Sequence, residues 1–382
     1  MCLVEVYFLI FTLYNSQRIS TFAWEDSHAL PYINRHCLMH KILFPLAVLL
    51  FVCTPIAAQN NETDTIRSFK NLDVSVSAGS TGLGLDLSSK ISSMFRLRAG
   101  FSFMPHWIDD MKFSVQVGDK AESKYDAQGN RIETKFDRLQ TRMKELTGFE
   151  VDETIHLEGK PKYYNFSLLL DVMPLVNKHW YVTGGFFWGN EKIADAIVSR
   201  DDMTTMLAVG MYNNMYTKAM NNQPFVTVNG NDIYNDALAE KLTRYGRMKY
   251  SIGDMKATGE PCYVEPDESG LIKAVAIANK LKPYIGVGYD GRLGRAEEGW
   301  KIGFDAGVLF YGGVPHIYTD RTIENVTTDE ITGEKHYTFT KKRVDMARDV
   351  INYKKNIKTK MSIIKAMPVF PVLNVKITKT IF

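Results

Sequence analysis

The sequence lacks long apolar runs beyond its first sixty or so residues. A helix that crosses a membrane needs about 20 apolar residues, and no run after Ala58 reaches about 18. This excludes helical membrane spans from the remainder of the chain. A strong charge imbalance is also missing, since the net charge is only +3. The chain therefore lacks the excess of positive charge that is typical of proteins that bind nucleic acid.

Cysteine is scarce, with four in the whole chain. Cys2, Cys37 and Cys53 lie near the N-terminus, so only Cys262 remains in the body of the chain. A disulfide framework within that body is excluded. A single thiol in an exported protein is more often incidental than a nucleophile.

The N-terminal region contains a signal-peptide pattern, "MHKILFPLAVLLFVCTPIAAQ". Two basic residues follow Met39, an apolar core covers 42–52, and two alanines precede Gln59. This order is typical of a Sec-type signal peptide, which we assign to 39–58. We interpret 1–38 as a spurious or leader extension in front of the true initiator.

Strict alternation of apolar and polar residues recurs along the chain. In "GWKIGFDAGVLFYGG" (299–313), Trp300, Ile302 and Phe304 alternate with lysine, glycine and aspartate. A period of two predicts a strand, because successive side chains point to opposite faces. Eight segments share the pattern: 71–79, 82–90, 94–104, 163–173, 180–190, 283–291, 299–312 and 368–382.

The connections between these segments alternate between short and long. The long ones are 105–162, 191–282 and 313–367. The tight turn "STG" after the first segment counts as a loop at the same end of the strands as the long connections. This alternation is typical of outer-membrane barrels. We therefore predict an all-β fold over 71–382, an eight-stranded antiparallel transmembrane β-barrel with long, partly helical extracellular loops, preceded by a periplasmic segment at 59–70. A soluble all-β sandwich is the alternative.

The two faces of the predicted strands differ in composition. The apolar face is too aromatic and continuous to fill an eight-stranded interior, so we place it against lipid, with aromatic belts near Trp180, Trp188, Trp300 and Tyr311. The other face predicts a lumen charge network, because buried charges are tolerated only when paired. Its members are Asp73, Asp86, Asp171 and Asp305, balanced by Arg96, Arg98, Lys301 and Lys376.

Several of these segments carry a family resemblance. "STGLGLDL", "FRLRAGFSFMP", "KPYIGVGYDGR", "IGFDAGVLFYGGVP" and "FPVLNVKITKTIF" resemble small outer-membrane β-barrel proteins of the OmpW/OmpX-like type found in Bacteroidetes. The resemblance implies a Gram-negative outer membrane, contact with outer-membrane lipid and lipopolysaccharide, and insertion by the barrel-assembly machinery. In such proteins the terminal residue, here Phe382, is the C-terminal insertion signal.

The predicted barrel indicates where function lies. Eight strands leave a lumen about wide enough for packed side chains, so we expect a structural or surface-binding role through the loops, with an unidentified extracellular ligand. One alternative is a narrow conduit for small hydrophobic molecules.

The other alternative is a lipid-modifying enzyme. Its best candidate is His106 with Asp109 and Asp110, because a carboxylate can orient an imidazole for base catalysis. A metal site of His156 with Glu153 and Glu158 is weaker. We expect no catalytic residue, no cofactor and no metal ion.

Three loop segments have features of their own. The stretch 231–248 predicts a helix capped by Asn235. The methionines of 203–220 form either a packed loop core or an adaptable binding surface. The basic segment 343–367 either lies near anionic lipopolysaccharide or is a solvated approach to the last strand.

Overall fold

The fold is seen in a computed structural model that describes residues 71–120, 122–147, 150–175, 179–293, 299–366 and 368–381. The predicted leader (1–38), signal peptide (39–58), periplasmic segment (59–70) and insertion signal Phe382 lie outside the described residues. Within the described residues, none of the helices has the length and apolar character needed to cross a membrane.

Eight antiparallel strands close into a barrel. They are β1 (Leu72–Gly79), β2 (Gly82–Lys90), β3 (Phe95–Phe103), β6 (Tyr164–Val172), β7 (Trp180–Gly189), β14 (Leu281–Arg292), β15 (Trp300–Phe310) and β19 (Val369–Thr380). Their order around the barrel is β1-β19-β15-β14-β7-β6-β3-β2. The predicted eight-stranded antiparallel barrel is confirmed.

The barrel exterior is a continuous apolar surface. In each strand the large apolar residues alternate with inward-facing ones, as the period of two requires. The exposed side chains include Val76, Leu85, Phe101, Phe166, Trp188, Leu281, Val287, Ile302, Phe304, Val375 and Ile377. Exposed apolar surface on this scale marks an interaction with a partner or a membrane.

The placement of Tyr311 in an exterior aromatic belt was wrong. Tyr311 is only 8% exposed and packs with Tyr163 and Ala278 at the barrel mouth. It follows Leu309, an inward-facing residue, by two positions, so the same alternation turns it inward. Trp180, Trp188 and Trp300 do lie on the exterior.

The three long connections fold together into one cap. Its strands are β4 (Asp109–Val117), β5 (Thr154–Pro161), β8 (Lys192–Val198), β9 (Val226–Val228), β10 (Asn231–Ile233), β11 (Met248–Met255), β12 (Pro261–Val264), β13 (Lys273–Ile277), β16 (His316–Thr328), β17 (Lys335–Asp345) and β18 (Val350–Ile351). Its helices are α1 (Lys135–Thr147), α2 (Met203–Met220), α3 (Asp236–Tyr245), α4 (Met346–Asp349) and α5 (Lys355–Ala366).

The main cap sheet continues the barrel wall. Its order is β12-β11-β4-β5-β8-β13-β16-β17, with β18 on β11. Five of these strands follow or precede a barrel strand directly in the chain, and β4-β5-β8-β13-β16 repeats the order β3-β6-β7-β14-β15. Paired strands thus leave the barrel and remain paired above it, so the cap sheet continues five of the eight barrel strands.

A single hydrophobic core holds the cap together. It includes Phe113, Ile155, Met206, Tyr250 and Ile317, which come from all three long connections. Burial of large apolar side chains contributes about 1.5–3 kcal/mol each, so the three connections stabilise one another. The sequence interpretation did not predict the strands of the cap, although the alternation in "MKFSVQV" (111–117) indicated β4.

Each of the three loop segments singled out in the sequence contains a helix. The helix around Asn235 is present as α3, and the Asn235 side chain accepts from Leu238 N at 2.9 Å. The methionine-rich segment forms α2, in which Met206 is fully buried but Met211 is 63% exposed. Within the basic segment, α5 buries Ile357 and Met361 against the cap core.

Candidate functional site

The lumen of the barrel holds a compact charge network. Arg96 contacts Asp171 at 2.8 Å and Asp290 at 2.7 Å. Arg98 contacts Asp171 at 3.2 Å and Asp305 at 2.7 Å. All five side chains are at least nine-tenths buried, so each needs its partners to offset the loss of water.

Lys376 and Tyr181 complete the network. Lys376 Nζ lies 3.1 Å from Asp290 and donates to the Tyr181 hydroxyl at 2.6 Å. The same hydroxyl donates to Asp305 at 2.8 Å. The guanidinium of Arg96 lies 4.7 Å from the centre of the Tyr181 ring, a cation–π contact. Three cations thus balance three carboxylates around one tyrosine.

The structure groups the eight predicted network residues unevenly. Arg96, Arg98, Asp171, Asp305 and Lys376 meet in the central cluster. The other three do not join it.

The three predicted residues outside the central cluster are Asp73, Lys301 and Asp86. Asp73 and Lys301 form a separate pair at 2.9 Å near the end with the short turns. Asp86 makes no ion pair with any described residue, although it lines the small cavity beside Arg98. The prediction also missed Asp290 and Tyr181, although the alternation in "PYIGVGYDG" already placed Asp290 inside.

The lumen glycines make room for these side chains. A Cβ atom on Gly288 would overlap the Tyr181 ring, and one on Gly100 would overlap the Asp86 carboxylate. A Cβ on Gly286 would overlap the Tyr284 hydroxyl. Large polar groups therefore fill the space that the missing side chains leave, which explains why glycine recurs on this face.

Two apolar layers close the lumen on the cap side of the network. The first contains Leu169, Phe187, Tyr284, Leu309 and Val372. Between it and the network lies a cavity of about 20 Å³, room for about one water molecule.

The second apolar layer lies at the mouth. It is built from Tyr163, Ala278 and Tyr311 at the joints between barrel and cap strands. Between the two layers Lys282 is fully buried and donates to Asn165 Oδ1 at 3.1 Å. The described part of the lumen is thus a packed interior that alternates polar and apolar layers.

The structure does not assemble either of the histidine sites considered from the sequence, the catalytic one at His106 or the metal site at His156. His106 is exposed, and no contact of its ring with Asp109 or Asp110 occurs among the described residues. His156 Nδ1 lies 3.2 Å from Asp202, whereas Glu153 and Glu158, the considered co-ligands, pair with Lys124 and Lys160. The described residues contain no group of three or more metal-ligating side chains that could hold an ion.

One histidine that the sequence interpretation did not single out has a close carboxylate. His316 Nδ1 lies 2.7 Å from Asp345 Oδ2, and its ring stacks on Tyr318 with an interplanar angle of 8°. Asp345 also accepts from Ala347 N and caps α4. His316 and Tyr318 line an open cleft of about 470 Å³ on the cap surface.

A second cleft, of about 340 Å³, lies elsewhere on the cap. It is lined by polar groups that already have partners, such as Lys124 with Glu153 at 2.6 Å.

Cys262 is fully buried in the cap core, and burial raises the pKa of its thiol to about 11. The thiol is therefore protonated and inert at neutral pH.

Comparison with known proteins gives similarity at the level of solved structures. No family model and no curated protein matches the chain. The crystal structures of CarO and CarO2 from Acinetobacter baumannii align with TM-scores of 0.31 and 0.33 at 11% and 10% identity. They cover 81% and 82% of this chain, and 97% and 99% of theirs.

A third solved structure is a major outer membrane protein from Thermus thermophilus. It aligns with a TM-score of 0.25 at 13% identity, over 81% of this chain and 98% of that one. Similarities at this level do not identify a family, so the resemblance to the OmpW/OmpX-like type stays a prediction.

Proposed function

We propose that the chain is an outer-membrane β-barrel protein that anchors a folded extracellular domain, with a structural or surface-binding role. One observation carries the proposal: three connections from different strand pairs build a single sheet with a shared core above a closed barrel. A barrel whose loops needed only to join strands would not require this shared core.

The barrel exterior supports the membrane location. Side chains such as Phe166 (53% exposed) and Val375 (56% exposed) point outward all around the barrel. In water this surface would drive aggregation, whereas in a bilayer it faces lipid. A closed barrel also satisfies all inter-strand backbone groups, as the hydrocarbon requires.

The packed lumen argues for an anchor over a pore. The charge network around Tyr181 and the apolar layer around Leu309 both cross the interior. A charged layer interrupts any apolar path, which argues against a conduit for hydrophobic molecules.

The test combines membrane fractionation with surface labelling. Protein expressed from Met39 should enter the outer-membrane fraction and migrate differently on gels before and after boiling. A cysteine introduced as Ile331→Cys, at a 95% exposed position of the β16–β17 hairpin, should react with a membrane-impermeant maleimide on intact cells. Protein that is soluble and shows no heat shift would refute the proposal.

The same preparation separates the two alternative functions. Reconstituted protein should give no stable conductance and no uptake of small hydrophobic molecules, and either activity would support a conduit. Lipid A from producing cells should keep its mass. A mass change that disappears with His316→Ala would support an enzyme, because His316 has an orienting carboxylate.

A further inference from the structure

We propose that the cleft lined by Lys280, His316, Tyr318 and Arg343 binds the phosphate-bearing head group of an outer-leaflet lipid. We call it the head-group cleft. This inference rests on the proposed function, because it requires the barrel exterior to face lipid.

The head-group cleft begins where the apolar exterior ends. Lys280 directly precedes Leu281, which is 53% exposed and pairs with Trp188 at the cap end of the barrel. His316 pairs with Ile277, four residues before Leu281, a distance of about 13 Å along an extended strand. Polar head groups flank the hydrocarbon core of a bilayer, so the cleft lies at their level.

The cleft is on the outer face of the cap sheet. Ile317 and Thr319 are buried, and Ile317 belongs to the cap core. His316 and Tyr318 alternate with them and are partly exposed. Because neighbouring residues of a strand point to opposite faces, these two rings face away from the cap core and toward the surroundings of the barrel.

Arg343 is the cation best placed to bind phosphate. Its guanidinium stacks over the Tyr318 ring at 4.1 Å. Arg343 forms no ion pair with a carboxylate of any described residue. Lys280 contributes a second positive charge, with Glu191 3.5 Å from it as the acidic neighbour. A stacked guanidinium keeps its donors free for bidentate contact with phosphate oxygens.

The neighbouring lysines are occupied, which singles out Arg343. Lys162 and Lys192 each lie 2.6 Å from Asp195. Burial alone would raise the pKa of Asp195, but hydrogen bonds and charge from these lysines hold it below its ordinary value. Asp195 is therefore ionised and neutralises part of the positive charge beside the cleft.

The experiment measures lipid binding to the full mature protein in detergent by native mass spectrometry. The probes are lipid A that carries its phosphates, dephosphorylated lipid A, and inorganic phosphate. The test variant is Lys280→Ala with Arg343→Ala. The control is Lys335→Ala with Lys342→Ala. It removes the same amount of positive charge from exposed positions of β17, the strand that carries Arg343, and the Lys342 side chain points away from that of Arg343.

We expect one phosphorylated lipid A per protein, bound about tenfold more weakly by the test variant and equally well by the control. Equal binding of dephosphorylated lipid A, an equal loss in both variants, or displacement of the lipid by inorganic phosphate would overturn the inference. The gel heat shift separates the two proposals: its absence in the unmodified protein refutes both, whereas an intact shift without phosphate-dependent binding refutes only this one.

Discussion

Lys376 Nζ donates a hydrogen bond to the Tyr181 hydroxyl across 2.6 Å inside the barrel. The two residues lie on β19 and β7, which are not neighbours in the barrel, so the bond crosses the lumen. Asp305 on β15 accepts from the same hydroxyl at 2.8 Å. Side chains from opposite walls thus tie the barrel across its interior.

Asp171→Asn should strongly destabilise the barrel. Asp171 is fully buried and contacts both Arg96 and Arg98. Removal of one partner from a buried ion pair costs about 3–5 kcal/mol, because the remaining charge is left uncompensated. Urea unfolding in lipid vesicles, followed by tryptophan fluorescence, measures this loss in the free energy of unfolding.

The matched control for that change is Asp73→Asn. Its partner Lys301 has a side chain that is 28% exposed, so water can solvate the unpaired ammonium. We expect a loss of about 1 kcal/mol or less. Equal losses in the two variants would contradict the assignment of Asp171 to a sealed interior.

Gly288→Ala should destabilise the barrel by a steric mechanism. A Cβ atom there would overlap the Tyr181 ring, and overpacking of this kind costs about 1–3 kcal/mol. The same urea titration measures the effect. Gly210→Ala in α2, where nothing lies within 4 Å of the added atom, should be neutral or stabilising, and a similar loss at both glycines would show that the ring is not packed as described.

Phe304→Arg tests the orientation of the barrel wall. Phe304 points outward and contacts the Trp180 ring at 5.8 Å between centroids. An arginine on the lipid face should cost about 2–4 kcal/mol near the bilayer midplane, measured as a lower yield of heat-shifted protein and easier unfolding in vesicles.

Two further variants complete this test. Gly303→Leu should also be harmful, because its side chain enters the lumen against the Tyr289 carbonyl and the Asp290 carboxylate. Ile331→Arg at the exposed hairpin tip should have no effect. If Phe304→Arg and Gly303→Leu were both harmless, the assignment of the faces would be wrong.

Cys262 should resist thiol reagents in the folded protein. Its side chain is fully buried and its thiol pKa is raised to about 11, so very little reactive thiolate exists at pH 8. Reaction with a maleimide should be slow in native protein and fast in denaturant. The cysteine of Ile331→Cys, present in the same molecule, should react at once, and equal rates at both positions would contradict a folded cap core.

The sequence by itself determined the eight barrel strands and the alternation of faces along them, although Tyr311 was assigned to the wrong face. A period of two depends only on the order of residues, so Phe304 and Asp305 could be assigned to opposite faces without a structure. The same reasoning placed Arg96 and Arg98 in the interior, because charges have no other tolerable position in a strand that crosses lipid.

The tertiary structure alone decided which interior charges meet. Periodicity gives neither the height of a residue in the barrel nor its distance across the lumen, because both depend on strand register and closure. Among the described residues, Asp86 therefore makes no ion pair, whereas Asp290 joins the network. For the same reason the union of three connections into one cap, and the contact between His316 and Asp345, depended on pairings between residues far apart in the chain.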